Sequence, residues 1–315
     1  MISDHQAEAR QALRQAFGRR VREGVPLAPY TSARIGGPAD FLLAVRSASE
    51  LESTCRTLWG VGIDFRMLGG GSNVLVADAG VRGTIVLNQA KDIQFHQADL
   101  GQGVTAEAGA SFGSVARRSM DEGLSGLEWA ATIPGTVGGA VVGNAGAFGG
   151  DVSQALQMAD ILQRPDRREC WAAERLEYGY RTSWLKRHPG EAVVLSGTFG
   201  LQTADREAIR RRVAELGAQR RRTQPRGASW GSMFKNPPGD HAGRLIEAAG
   251  LKGARQGAAE ISSVHANFFI NRGGATAADV WTLIEKARQE VRRQTGIELE
   301  LEIERLGAWD TAEAG

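Results

Sequence analysis

The sequence predicts an α+β protein of two or three subdomains of about 100 residues each. Three observations carry that expectation. The chain has 315 residues, enough to bury sizeable cores and too long for a small stapled module. Helical and strand patterns are mixed: Ser49-Glu50-Leu51-Glu52 reads as a capping box opening a helix to about Trp59, and Ile63 to Leu68 reads as a strand. The third observation is where the 41 glycines fall. They cluster at Gly36-Gly37, Gly69-Gly70-Gly71, Gly135, Gly138-Gly139, Gly143, Gly146 and Gly149-Gly150, whereas the C-terminal third reads as ordinary helix and strand. Leu68-Gly69-Gly70-Gly71-Ser72-Asn73 leads into Val74-Leu75-Val76, which is β-rich. A doubly wound dinucleotide-binding sheet would instead open a helix at its glycine fingerprint, so that fold is disfavoured.

Composition narrows the function classes. With 38 Lys and Arg against 36 Asp and Glu, the net charge is +2, and the two signs are mixed along the chain. No polyanion-binding face follows, so nucleic acid is not the expected partner. Cys55 and Cys170 have neither CxxC nor metal-ligand spacing, and no metal is expected. The start, Met1 to Arg22, has no apolar core of signal-peptide length, and no run approaches the roughly 18 apolar residues of a membrane span. These features read as a reducing, cytoplasmic compartment without a membrane segment.

The glycine clusters call for a close approach of backbone to something. In 69–73, successive backbone N–H groups form a nest able to bind a diphosphate without a helix terminus, with Ser72 and Asn73 as added donors. The alternative is a glycine-rich connection between two strands. A second segment, Ile133-Pro134-Gly135-Thr136-Val137-Gly138-Gly139-Ala140, reads as another loop, followed by the small-residue run Val141 to Gly149. Two such surfaces suit a large flat ligand carrying a diphosphate.

Further along, Ser229 to Pro237 places Ser232, Lys235 and Asn236 on one tight turn. A serine held this way can donate a proton, although Gly-Ser turns near proline are usually only turns. Asp205 to Arg222 reads as a helix ending in Arg220-Arg221-Arg222, a solvated end favoured by the macrodipole. Asp240 is expected to cap a short helix closing at Gly250. Thr276 and Asp279 open a longer helix whose Val280, Leu283, Ile284, Ala287 and Val291 form one apolar stripe ending at Gly296. His265 and Asn267 fall in an expected strand, with a structural histidine the default. In Glu298 to Glu304, four glutamates alternate with Leu299, Leu301 and Ile303, and periodicity does not choose among them. Arg181 follows Tyr178-Gly179-Tyr180, where stacking on an aromatic is the simple reading.

Taken in order, these segments resemble the UDP-N-acetylenolpyruvoylglucosamine reductases, the MurB type. The resemblance is carried by Gly36-Gly37-Pro38-Ala39-Asp40, Leu68 to Asn73, Ile133 to Gly139, Asn144-Ala145-Gly146-Ala147, Tyr180-Arg181-Thr182-Ser183, Gly231 to Pro237, Gly250-Leu251-Lys252-Gly253, His265-Ala266-Asn267-Phe268 and Leu299 to Ile303. It spans nearly the whole chain. It implies a two-subdomain FAD-binding module of the vanillyl-alcohol-oxidase (PCMH) type, at 1–92 and 93–202, and a C-terminal α+β subdomain, 203–315, for a UDP-sugar. The last residues would pack back on the first subdomain. FAD would be held non-covalently, since neither His nor Cys lies in the phosphate loop, by Gly69, Gly70, Gly71, Ser72, Asn73, Ile133, Pro134, Gly135, Thr136, Gly138, Gly139, Asn144, Ala145 and Gly146. NADPH would be the co-substrate, and the catalytic trio maps onto Arg181, Ser232 and Glu302. Tyr180, Lys235, Asn236 and His265 would bind substrate. A monomer is compatible with this reading. The family's aromatic hydroxyl after Asn-Ala-Gly-Ala is replaced by Phe148, and Tyr30 stands where asparagine is common. The short interval after Arg181 implies the compact class without a tyrosine-bearing loop over the nucleotide.

The trio also makes chemical sense. Hydride addition to the terminal carbon of a vinyl ether bearing a carboxylate builds negative charge on the adjacent carbon and the carboxylate. A guanidinium can hold that carboxylate, a carboxyl group can stabilise the enolic form, and Ser232 can supply the proton if a nearby cation stabilises its alkoxide.

Overall fold

The computed structural model describes residues 4–98 and 101–309, with the side chains of residues 4, 5, 97 and 98 left aside. The chain forms two compact units that interleave in sequence: Met1–Glu23, Phe41–Gly70 and Gly83–Gln219 in one, Gly24–Asp40, Gly71–Arg82 and Arg220–Gly315 in the other. Packing groups two early stretches, 24–40 and 71–82, with the C-terminal third.

The first unit contains two cores. Helices α1 (Asp4–Phe17) and α2 (Ala48–Gly60) accompany strands β1 (Arg22–Pro26), β2 (Pro38–Val45), β3 (Phe65–Leu68), β4 (Val74–Val76) and β5 (Val81–Asn88). Four of these strands form a sheet of order β1-β2-β5-β3; β4 belongs to the second unit. Leu51, Cys55 and Leu58 repeat at helical spacing on α2 and are fully buried, packing against Phe41, Leu43, Val45 and Val86. Burial pushes the Cys55 thiol up to about 12, so it stays protonated and acts as a core residue. The helix starts two residues earlier than its Ser49 pattern suggests. Ser47 is the N-cap and accepts from Glu50 N–H at 3.1 Å, while the Glu50 carboxylate accepts from Arg46 N–H at 2.7 Å.

The second core of this unit lies on an antiparallel sheet. Its strands are β6 (Ile93–Ala98), β7 (Gly101–Glu107), β11 (Leu156–Gln163), β12 (Arg167–Ala172) and β13 (Ala192–Gly200), in the order β12-β11-β13-β7-β6. Helices α3 (Phe112–Asp121) and α4 (Val137–Gly143) contribute Phe112, Val115, Val137 and Val141 to it. Short pairs decorate the edges: β8 (Leu124–Ser125) with β14 (Gln202–Thr203), and β9 (Gly146–Ala147) with β10 (Gly150–Asp151). Single-turn helices α5 (Val152–Ala155) and α6 (Trp184–Arg187) follow, then α7 (Arg206–Thr223).

The second unit is built on the sheet β15-β18-β17-β16: β15 (Ala228–Ser232), β16 (Arg255–Gln256), β17 (Ala259–Ile261) and β18 (Phe268–Asn271). Helices α8 (Ala242–Ala248) and α9 (Ala277–Thr295) pack with it, and β19 (Glu304–Leu306) pairs in parallel with β4. The apolar stripe of α9 is buried as its period predicts, each large side chain contributing roughly 1.5–3 kcal/mol. Its N-terminus is closed by a Thr276–Asp279 capping box. The Asp78 carboxylate adds bonds from Ala277 N–H at 2.8 Å and Ala278 N–H at 3.0 Å. A carboxylate on the first free donors of a helix satisfies both its orphan groups and its dipole. That contact and the β4–β19 ladder explain why 71–82 travels with the C-terminal third.

Candidate active site

In the first unit the two glycine segments lie against one another. A Cβ at Gly69 would sit 2.4 Å from Thr136 Oγ1, and one at Gly70 would sit 3.2 Å from Gly135 Cα. Glycine is therefore required for loop-to-loop contact as well as for any ligand. The segment read as a second loop is in part a helix: α4 begins at Val137, its buried Val137 and Val141 anchoring one face. That folding engages donors the sequence left open. Val137 N–H donates to Ala110 O at 2.9 Å and Gly138 N–H to Ala108 O at 2.8 Å. Gly138 thus meets backbone where the sequence placed a cofactor donor. On α4, Gly139 and Gly143 stand four residues apart on one face. A Cβ at Gly139 would meet only Thr136 Oγ1 at 3.7 Å, and one at Gly143 nothing within 4 Å. The result is a bare backbone strip beside the Gly70–Gly135 contact.

Arg181 sits in the same unit on a turn closed by Gly179 N–H to Thr182 O at 3.1 Å and Thr182 N–H to Gly179 O at 3.2 Å. Its φ is +56°, a left-handed conformation costing a non-glycine residue roughly 1–2 kcal/mol. The guanidinium is held by main-chain carbonyls, Gly146 O at 2.7 Å and Asn144 O at 3.4 Å. Its carbon also lies 5.1 Å from the centroid of the exposed Tyr180 ring. The stacking expected from Tyr178-Gly179-Tyr180 is present, and the guanidinium is in addition fixed on two carbonyls. Asn144 builds the cradle. It is buried, caps α4 in the left-handed conformation, and bonds Gly179 O at 3.0 Å and Ser153 N–H at 3.0 Å. Its side chain braces the Arg181 turn.

The second unit collects Ser232, Asn236, His265, Lys235, Glu302 and Asn73. The Ser232–Asn236 stretch runs between two supports. On one side is Asn267, which is buried. Its side chain takes Phe234 N–H at 2.9 Å and donates to Phe234 O at 2.8 Å, while its carbonyl takes Met233 N–H at 2.8 Å. On the other side is the 300–302 segment: Lys235 N–H donates to Glu300 O at 2.8 Å and Glu302 N–H to Met233 O at 2.9 Å. Glu302 is thereby seated beside the residue that follows Ser232. The expected strand 298–304 is only a bridge at Leu301 and the β19 ladder from Glu304, because its backbone bonds are divided among Met233, Lys235 and Asn73.

The four glutamates separate by partner. Glu298 pairs with Arg292 at 3.2 Å on the surface, and Glu300 pairs with the Lys235 ammonium. Glu302 is half-buried, with its carbonyl accepting from Asn73 Nδ2 at 3.1 Å, and Glu304 is exposed.

Ser232 lines a cavity of ≈ 280 Å³ together with Asn236, His241, Arg244, His265 and Asn267. His265 and Asn267 lie in the turn before β18 rather than in the expected strand. The His265 ring accepts Asn267 N–H on Nδ1 at 3.2 Å, which puts the proton of its neutral form on Nε2. Burial, reinforced by Lys252, lowers its pKa. Asp240 does not cap α8. The N-cap is His241, and Asn236 Oδ1 takes Ala242 N–H at 3.1 Å. Asp240 instead chelates Arg244, whose guanidinium holds its carboxyl down at about 2. In the arginine run, burial lowers the Arg220 pKa, whereas Arg221 and Arg222 are exposed. Sequence reasoning assigned no role to Asn267 or Trp230. A polar residue between the buried Ala266 and Phe268 is the signal for the first, since a buried amide demands partners.

Among the described residues, no group of His, Cys, Asp or Glu is placed to hold a metal, and no helix is long and apolar enough to cross a membrane. The bare strip of α4 and the paired glycine loops fit a flat, diphosphate-bearing cofactor such as a flavin dinucleotide.

Residues 39–164 match the family described as FAD binding domain, and residues 224–306 match the UDP-N-acetylenolpyruvoylglucosamine reductase, C-terminal domain. A UDP-N-acetylenolpyruvoylglucosamine reductase of Chloroflexus aggregans is 43% identical over 286 residues, covering 90% of this chain and 96% of that one. The protein of that name from Rubrobacter xylanophilus is 46% identical over 282 residues, covering 90% and 94%. The crystal structure of the Thermus caldophilus reductase superposes with a TM-score of 0.77 at 36% identity, covering 91% of this chain and 99% of that one.

Proposed function

Since the chain belongs to the UDP-N-acetylenolpyruvoylglucosamine reductase family, we propose that Arg181, Ser232 and Glu302 carry its reduction of the enolpyruvyl group to UDP-N-acetylmuramate. FAD, reduced by NADPH, supplies the hydride when bound. Gly69–Gly71 and Ser72, with Pro134–Thr136 and the Gly139–Gly143 strip, take the cofactor where side chains would obstruct it. Arg181, fixed by two carbonyls at a strained φ, presents its guanidinium to the substrate carboxylate, where charge accumulates after hydride addition. Glu302 shares a proton with the enolic oxygen, and Ser232 delivers a proton to the carbon bearing the carboxylate. The cavity beside Ser232 takes polar groups of the UDP-sugar through Asn236 and His265. The Lys235 ammonium is paired with Glu300, so its part is to orient the 300–302 segment.

The observation that supports this reading most is the seating of Glu302 N–H on Met233 O at 2.9 Å, which sets a carboxyl-bearing residue beside the serine. The test is a pair of anaerobic half-reactions. Bound flavin should bleach with NADPH and recover colour with the enolpyruvyl sugar. Ser232→Ala should keep FAD and the first half-reaction but slow the second by about 10²-fold or more, with partial recovery in Ser232→Cys. Near-normal reoxidation in Ser232→Ala would remove the serine from the proton step.

A further inference from the structure

We infer that Asn73 is a positioning residue for Glu302 rather than a ligand of the cofactor, which rests on the role of Glu302 given above. In the sequence Asn73 closes the glycine loop and reads as a donor to a diphosphate. In the folded unit its side-chain amide donates to Glu302 O at 3.1 Å, and its own carbonyl accepts Glu304 N–H at 2.8 Å. The parallel β4–β19 ladder begins immediately afterwards, at Val74 opposite Glu304. The Asn73 side chain therefore supplies one rung beyond the end of that ladder, at the residue whose direction matters.

Glu302 needs such a rung. It lies between the Phe234–Leu301 bridge and β19, outside any regular ladder. Its N–H is held by Met233 O and its carbonyl by Asn73, so the two bonds fix the peptide planes on both sides of its Cα and the direction in which the side chain leaves. The support is itself tied down by hydrogen bonds. Asp78 closes the N-terminus of α9, and Val74 O accepts the Trp230 indole N–H at 2.7 Å. Trp230 lies two residues before Ser232, so β4 and the residue just before it hold both the stretch leading to the serine, through Val74, and the acid, through Asn73. Only a donor can serve at this position, because the partner is a carbonyl. An ionised aspartate of the same shape presents acceptors alone.

The two roles for Asn73 separate experimentally. Asn73→Ala, Asn73→Asp, Asn73→Ser, Glu302→Gln and the double variant Asn73→Ala/Glu302→Gln are compared as holoenzymes. The readouts are FAD affinity by fluorescence titration, flavin reduction by NADPH, flavin reoxidation by the enolpyruvyl sugar, and thermal melting. We expect FAD affinity and reduction within about twofold of wild type in the Ala and Asp variants, but reoxidation slowed by roughly 10-fold to 10²-fold, as for a displaced catalytic group. Serine, which keeps a donor, should recover part of that loss. The double variant should be no slower than Glu302→Gln alone, because a residue acting only through Glu302 has nothing further to remove. A tenfold or larger loss of FAD affinity in Asn73→Ala overturns the inference and assigns the residue to the flavin. Multiplicative losses in the double variant overturn it as well. If Glu302→Gln alone reoxidises at the wild-type rate, the role of Glu302 has failed first, and the inference falls with it.

Discussion

The turn that carries Arg181 and the cluster that carries Ser232 and Glu302 fix their side chains in opposite ways. Arg181 is held by conformation: a positive φ, a two-residue turn closed on itself, and carbonyls of the small-residue loop 144–146 that approach because Gly146 has no side chain. A Cβ there would lie 2.8 Å from Gly150 O and 3.2 Å from Arg181 Nη1. Ser232 and Glu302 are held by amides distant in sequence, Asn267 and Asn73, each bonding main-chain groups. Strain fixes the first site locally; a network fixes the second. The first should therefore tolerate remote changes and fail with its own side chain, whereas the second should fail when a support is removed.

The largest effect expected on that contrast is kinetic. Arg181→Lys cannot reproduce a guanidinium anchored on two carbonyls. It should slow flavin reoxidation by about 10²-fold while leaving NADPH reduction and melting temperature near wild type. Equal loss in both half-reactions would show that the turn supports the fold rather than the chemistry.

Next is Asn267→Ala, which leaves Phe234 N–H and C=O unpaired in a buried setting. At roughly 1–3 kcal/mol for each orphaned group, about 2–6 kcal/mol of stability should be lost in urea unfolding. A loss under 1 kcal/mol would mean that the Ser232 stretch does not depend on its amide support. A smaller loss, about 1 kcal/mol, is expected for Asp78→Ala, on the scale of a helix cap. Its α9 amides should show faster hydrogen exchange at the first turn.

The smallest effects are those of pH, and they separate two windows. His265 has a folded pKa below its unfolded value near 6.5 because of burial. Its contribution is present above that value and is lost as pH falls toward the folded pKa. Glu260, buried and bonded first by Arg272 and then by Arg255, also has a depressed pKa. Its contribution is present above about 4.5 and is lost only at lower pH. Stability should thus decline in two steps on acidification. His265→Gln should flatten the upper step alone and Glu260→Gln the lower. A single step unaffected by either change would remove both groups from the linkage.

The legible parts of the molecule were those whose cause is local. The α9 stripe with its Thr276–Asp279 box and Gly296 stop follows from a 3.6-residue period and capping chemistry, and the strand–glycine–strand passage from 65 to 76 follows from β-rich flanks. The family followed because its motifs are short and contiguous. Less legible was Val137–Gly143, where glycines suggested a loop and burial of Val137 and Val141 selected a helix. The strand read around His265 and Asn267 is a turn in which the His265 ring bonds Asn267 N–H two residues on, while the Asn267 side chain is committed to the Phe234 backbone 33 residues away.

What the sequence determined by itself was the class of the protein, its glycine surfaces and the residue types able to do the chemistry, since these depend on covalent structure and neighbours a few positions away. Tertiary structure alone decided that Glu302 N–H bonds Met233 O, that Asn73 holds the Glu302 carbonyl, and that 71–82 belongs with the C-terminal third. Each of these rests on hydrogen bonds between groups far apart in sequence, 229 positions for Asn73 and Glu302. A buried donor or acceptor must find a partner, but nothing in its own segment specifies which.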